Sequence, residues 1–155
     1  MKFSSILLAF VFGLFILVVF PYLFIKLNLY LSLPIFTVTP LKILGVLFVL
    51  IGLSFHLYCI GLFRFIGKGT PVPTEPPKKL VIKGIYKYTR NPMYICLMID
   101  LFGYFLFFGY STLIFYFLII GFSFHLFVIS YEEPILKKQF GKDYIDYCKK
   151  TPRWL

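Results

Sequence analysis

The sequence predicts an all-α integral membrane protein: four transmembrane helices, the last two a tight hairpin, followed by a C-terminal amphipathic interfacial helix. Three observations carry this. Of 155 residues, 60% are hydrophobic and 14% charged, and mean hydropathy is +0.89, where soluble domains run at about 45–50% apolar and about 25% charged. Uncharged runs of membrane-spanning length recur along the chain. Fourteen of the sixteen Lys and Arg collect on one face once those runs cross a bilayer. The 21 Phe and 12 Tyr exclude a disordered chain, and a soluble enzyme of this size has nowhere to bury so much apolar surface. Cys59, Cys96 and Cys148 are odd in number and lack C-x-x-C spacing, which excludes a disulfide framework and a cysteine-built zinc cage.

The first run, residues 3–25, is uncharged. As a helix it reaches roughly 35 Å, enough to cross a hydrocarbon core of about 30 Å. A signal peptide is the competing reading, but the run is long for one and no small-residue cleavage site follows. Pro21 is expected to kink or fray the last turn. Residues 26–42, with Asn28, Ser32, Pro34 and Pro40, read as a loop. The second span is 43–63, with His56 its one ionisable group. A loop, 64–92, leads to the third span, 93–108, which carries Asp100. From Leu101 to Tyr131 only His125 can be charged. That stretch is too long for the rest of one span, and Gly109 to Thr112 supplies a turn. The fourth span is therefore 112–131. Beyond it Leu136, Phe140, Tyr144, Tyr147 and Cys148 recur at helical spacing among lysines, so 134–150 reads as the interfacial helix. The whole chain, 1–155, reads as a single membrane domain.

Four spans put both termini on one side. Lys2, the basic residues of 64–92 and those of the tail lie there; only Lys26 and Lys42 lie opposite. The asymmetry orients both termini to the cytoplasm. It also accounts for the net charge of +10 without nucleic acid, since no basic helix or RNA-binding motif accompanies it.

The unusual polar content falls in residues 64–94 and 130–155, both at the cytoplasmic boundary. Residues 84–94 read GIYKYTRNPMY. Pro92 pushes Asn91 out of helical geometry and suits the first turn of a helix. Free N–H groups at such a start favour an anion such as a carboxylate, and Tyr86, Tyr88 and Tyr94 offer flat faces and hydroxyls. An interfacial aromatic belt with a helix cap is the plainer reading. Residues 130–136 read SYEEPIL. Glu132 and Glu133 either sit at the start of a new helix opened by Pro134 or await a cationic ligand.

Read together, these two segments resemble a known family. GIYKYTRNPMY, then EEPILKKQFGKDYIDYCKKTPRWL, preceded by GKGTPVPTEPPKKLVIKG, look like the isoprenylcysteine carboxyl methyltransferase family. They are most similar to its short prokaryotic branch, relatives of the phospholipid N-methyltransferases. The resemblance covers residues 64–155; the first two spans are recognisable only as generic spans. It implies a multi-pass methyltransferase of a prokaryotic cell membrane that uses S-adenosylmethionine. The cofactor pocket would be built from the connecting loop, the hairpin and the tail helix. By matched position Leu80, Val81 and Tyr86 would line it, and Asn91, Pro92, Met93 and Tyr94 fall on an R-H-P-x-Y-type cofactor motif. Glu132 falls on the functional glutamate and Glu133 beside it. Two residues depart from the pattern. Asn91 stands where eukaryotic members have His, and Val128 stands where they have an Arg tied to the prenylcysteine substrate. The second departure bears against a prenylated protein and leaves a lipophilic small molecule or lipid as the expected acceptor.

Methyl transfer from a sulfonium is an in-line displacement, so such a protein mainly positions two reactants and needs no His/Asp/Ser constellation. Asp100, the one acid within a span, and His125 are the candidate catalytic residues. Plainer roles are a paired buried Asp and a hydrogen-bonded buried His. His56 reads as structural. Gly67-Lys68-Gly69-Thr70 resembles the end of a phosphate loop only superficially, and no metal site is expected. The competing functions are a non-catalytic four-span scaffold and a small multidrug-type transporter. A transporter of that type would want an acid in its first span, and residues 3–25 have none.

Overall fold

In a computed structural model, residues 3–67 and 78–155 are described. Lys2, Lys68, Gly69 and Thr70, and the 68–77 part of the expected cofactor loop, lie outside the described residues. Secondary structure among the described residues is helical: α1 (Phe3–Leu14), α2 (Phe20–Tyr30), α3 (Thr39–Leu62), α4 (Pro92–Phe108), α5 (Ser111–Phe127), α6 (Glu133–Phe140) and α7 (Lys142–Lys150). Wider π turns at Phe15–Val19, Phe63–Gly67 and Val128–Glu132 join or extend them, and Gly84–Lys87 forms a 3-10 turn. Among the described residues three helical stretches are long and apolar enough to cross a membrane: Phe10–Tyr30, Thr39–Gly67 and Ser111–Phe140. The fourth apolar helix, α4, is shorter at 17 residues.

Two of the π turns have one cause. Proline lacks an N–H and its ring crowds the carbonyl four residues back. For Pro21 that carbonyl belongs to Leu17, and for Pro134 to Ser130; both lie inside π turns. The wider turn absorbs the misfit, so neither proline ends its helix. Pro21 was expected to fray the first span near residue 25. The helix instead runs on to Tyr30, with Lys26 over the Tyr22 ring, 5.4 Å from its centroid. In the first π turn the Phe20 N–H bonds the Phe15 carbonyl. By the same register Ile16 would need the N–H that Pro21 lacks. The Tyr116 hydroxyl of α5 donates to that Ile16 carbonyl at 2.8 Å. Ile16 and Tyr116 then sit in one core cluster with Leu97, Leu101 and Phe124.

Asn28, expected in a loop, is helical and fully buried. Its amide donates to the Leu33 carbonyl at 2.9 Å, and its oxygen accepts the Thr112 N–H at 3.1 Å. It thus satisfies a backbone donor in the first turn of α5 that has no partner within the helix. The α4–α5 hairpin turns at Gly109, where φ is +71°. A β-carbon there would run into the Phe36 carbonyl.

Helices α3 and α4 meet along Gly45, Gly52 and Cys59, spaced seven apart and all buried. A β-carbon on Gly45 would lie 2.6 Å from the Gly103 carbonyl oxygen and 2.7 Å from the Phe107 nitrogen. The two backbones therefore touch, as small residues allow in membrane helix pairs.

The tail departs from expectation. Residues 134–150 do not form one interfacial helix. The chain turns at Gly141, with φ +54° and ψ −124°, a region glycine alone enters readily. This splits α6 from α7, and α6 continues α5 through the π turn. Tyr144 and Tyr147 are buried against protein, so the apolar residues of 136–148 do not form one membrane-facing stripe.

Candidate functional site

The site is built where the α4 start, the α5–α6 junction and the C-terminal tail meet. Asn91 has φ −125° and ψ 49°, outside helical geometry, as its place before proline dictates. Pro92 opens α4. The strand of chain before it is bound to the tail. The Thr89 hydroxyl and the Asn91 amide both donate to the Arg153 carbonyl, at 3.1 and 3.0 Å. The Arg90 N–H donates to the Pro152 carbonyl at 3.0 Å, and the Tyr147 hydroxyl to the Tyr86 carbonyl at 2.6 Å. Burial pushes both phenols above their usual range, so each stays a neutral hydroxyl.

The two adjacent glutamates face different partners. Glu133 is buried, and Arg153 grips it in a fork, Nε to Oε1 at 2.7 Å and Nη2 to Oε2 at 3.0 Å. Arg90 Nη1 lies 3.0 Å from the same Oε1. The hydrogen bond from Arg153 to Glu133 raises the guanidinium further above its already high value. Two cations on one carboxylate, with bidentate geometry, make this the strongest polar anchor of the tail. Glu132, half-buried, takes instead the Tyr94 hydroxyl on Oε2 at 2.8 Å.

The Tyr94 ring stands against Phe124, with centroids 4.7 Å apart, and edge-on to Trp154 at 6.5 Å. Trp154 donates its indole N–H to His125 Nδ1 at 3.0 Å. These four residues close one end of an apolar groove of about 440 Å³. The groove runs between α3, α4 and α5, and Phe48, Met98, Phe102 and Phe117 are among the residues that line the rest of it.

The expected site residues therefore divide. Asn91, Pro92, Tyr94, Glu132 and Glu133 come together at this junction, and His125 lies at the groove's polar end. Val81 and Tyr86 are instead packed into a cluster around Cys59, with Met93 against it; Leu80 is half-buried. Asp100 faces α3, away from Glu132. Its carboxylate lies 3.6 Å from His56 Nδ1, in space that a β-carbon on Gly52 would fill. Trp154, Phe124 and the Arg153 fork escaped the sequence reading. The one signal was that Trp154 is the chain's sole tryptophan, set beside an arginine in an otherwise lysine-rich tail. Among the described residues no group of three or more His, Cys, Asp and Glu is placed to hold a metal ion.

The model of the phospholipid methyltransferase family matches residues 40–143. The chain belongs to the phospholipid methyltransferase family. No curated protein and no solved structure matches it. The match begins at α3, so the second apolar helix belongs to the family region although the resemblance seen in the sequence began only at residue 64. It ends in α7, before Arg153 and Trp154. Membership makes the chain a membrane methyltransferase by class, and members of the class generally use S-adenosylmethionine.

Proposed function

We propose that this methyltransferase moves the methyl group of S-adenosylmethionine onto a lipophilic acceptor that enters the groove from the bilayer. One observation carries the reading: Tyr94 lines the groove while its hydroxyl bonds Glu132. One side chain of the cofactor motif thus touches both the groove and the carboxylate at the functional-glutamate position.

The residues present fit the cofactor. Glu133 is committed to Arg153 and Arg90, whereas among the described residues Glu132 meets a neutral hydroxyl and keeps its second oxygen for a cation such as the cofactor's ammonium. The first N–H groups of α4 have no intrahelical partner and favour its carboxylate. Bound, the cofactor supplies an activated methyl on a sulfonium. Glu132, Asn91 and the α4 start would hold it beside Tyr94, at the end of the groove that the acceptor enters. Glu133, expected to share the cofactor with Glu132, is assigned to the tail instead. Val81, Tyr86 and Met93, packed around Cys59, are assigned to supporting the site rather than lining the cofactor. Asp100 is assigned to the α3–α4 interface rather than to catalysis.

The spans are proposed as four, α4 being the short one, with both termini cytoplasmic. Val128 is almost wholly buried in its π turn, so a prenylcysteine carboxylate finds no cation there. The proposed acceptor is a lipid or lipid-like molecule rather than a prenylated protein. The test is transfer from labelled S-adenosylmethionine by the detergent-purified protein, with membrane lipid extract and a farnesylcysteine analogue compared. Label in the lipid extract is expected. Label only in the analogue overturns the acceptor, and failure of S-adenosylhomocysteine to bind leaves a non-catalytic scaffold.

A further inference from the structure

We propose that His125 is a specificity-determining residue for the acceptor: Trp154 locks its tautomer, and its Nε2–H donates to an oxygen on the acceptor's head group. The inference rests on the lipid-groove reading and names the head-group chemistry that groove selects.

A tryptophan N–H is a donor and never an acceptor, so the His125 Nδ1 that meets it at 3.0 Å presents its lone pair. A neutral imidazole carries one proton, which must then sit on Nε2. Among the described residues nothing accepts from Nε2, while the ring lines the groove. The geometry therefore turns a residue expected as a base into a donor. To accept a proton at Nδ1 the ring would first have to give up Trp154.

Trp154 is itself held. The preceding residue is the Arg153 fork on Glu133, and two further donors fix the Arg153 carbonyl. The indole also packs against Tyr94. The ring is thus orientated before any ligand arrives, which lowers the ordering cost of binding. The remaining lining is almost wholly apolar, so one aimed donor distinguishes among head groups. A phosphate or carbonyl oxygen satisfies it. A head with only ammonium protons does not, and leaves the donor unpaired.

The test uses the full chain in detergent, saturated with S-adenosylhomocysteine, and two probes of equal chain length, dodecyl phosphate and dodecylammonium. The protein has two histidines, so ¹⁵N-histidine labelling gives two rings, and His56→Gln assigns them. His125 is expected as the Nε2–H tautomer, its Nε2 signal moving on addition of dodecyl phosphate. Trp154→Phe, which keeps an aromatic ring without the N–H, should mix the tautomers. His125→Phe should weaken dodecyl phosphate about tenfold and leave dodecylammonium and S-adenosylhomocysteine within twofold. An Nδ1–H tautomer in the wild type, or equal losses for both amphiphiles, overturns the proposal. Loss of S-adenosylhomocysteine binding with the tautomer and probe selectivity intact would instead count against the methyl-transfer reading alone.

Discussion

Arg153 and Glu133 meet in a two-pronged pair, at 2.7 and 3.0 Å, that joins the last residues of the chain to the first turn of α6. The fork decides where Trp154 goes. Removing one partner of a buried pair strands the other's charge, at about 3–5 kcal/mol; Arg153 is partly exposed, so the low end applies. Glu133→Gln should lower unfolding stability by about 3 kcal/mol on that basis. It should also shift the emission of Trp154, the sole tryptophan, to the red. Arg153→Lys keeps the charge but not the fork and should move the emission in the same direction. Unchanged emission in both variants would mean that the tail is held by something else.

Glu132 and Glu133 separate by readout. Glu132→Gln should weaken S-adenosylhomocysteine by about tenfold to a hundredfold, the value of one charge-assisted hydrogen bond. Trp154 emission should stay as in the wild type. Calorimetric titration alongside fluorescence checks both. Wild-type affinity in Glu132→Gln removes this residue from the cofactor site.

Tyr116→Phe should destabilise by about 1–2 kcal/mol, because it leaves the Ile16 carbonyl bare in a dry core. The bond it removes, 2.8 Å long, replaces one that Pro21 cannot make. Pro21→Ala returns an N–H to that turn, so the cost of Tyr116→Phe should shrink in its background. A double-mutant cycle of unfolding in detergent measures the coupling; purely additive effects would sever the link between the proline and the tyrosine.

Topology is checked by reporters. In the proposed four-span arrangement the basic residues of 78–90 and of the tail share one side and Lys26 and Lys42 take the other, so a fusion after Leu155 should report the cytoplasm. One placed within residues 31–38, between α2 and α3, should report the opposite side. Agreement between the two would break the four-span arrangement.

The features legible in the sequence were those set by local physics. Uncharged length marked the apolar helices, the proline at 92 marked the start of α4, and Gly109 marked the hairpin, since each depends on a residue's own hydration or dihedral preference. Family resemblance tied Asn91–Tyr94 to Glu132. Which way each side chain faced was a different matter. Neighbours on a helix diverge by about 100°, so Glu132 and Glu133 were bound to meet different partners, but the partners come from other parts of the chain. The π turn between His125 and Glu132 is equally hidden in the local pattern, because its cause, the proline at 134, acts four residues upstream. Asp100 turned to His56 because Gly52 leaves room on α3, a vacancy that composition does not reveal. Trp154 reaches the groove through bonds to distant segments, among them the fork of Arg153 on Glu133 twenty residues away. Hydrophobic length is a property of a segment and is written in it; a hydrogen bond across the fold belongs to two segments and exists only once they have packed.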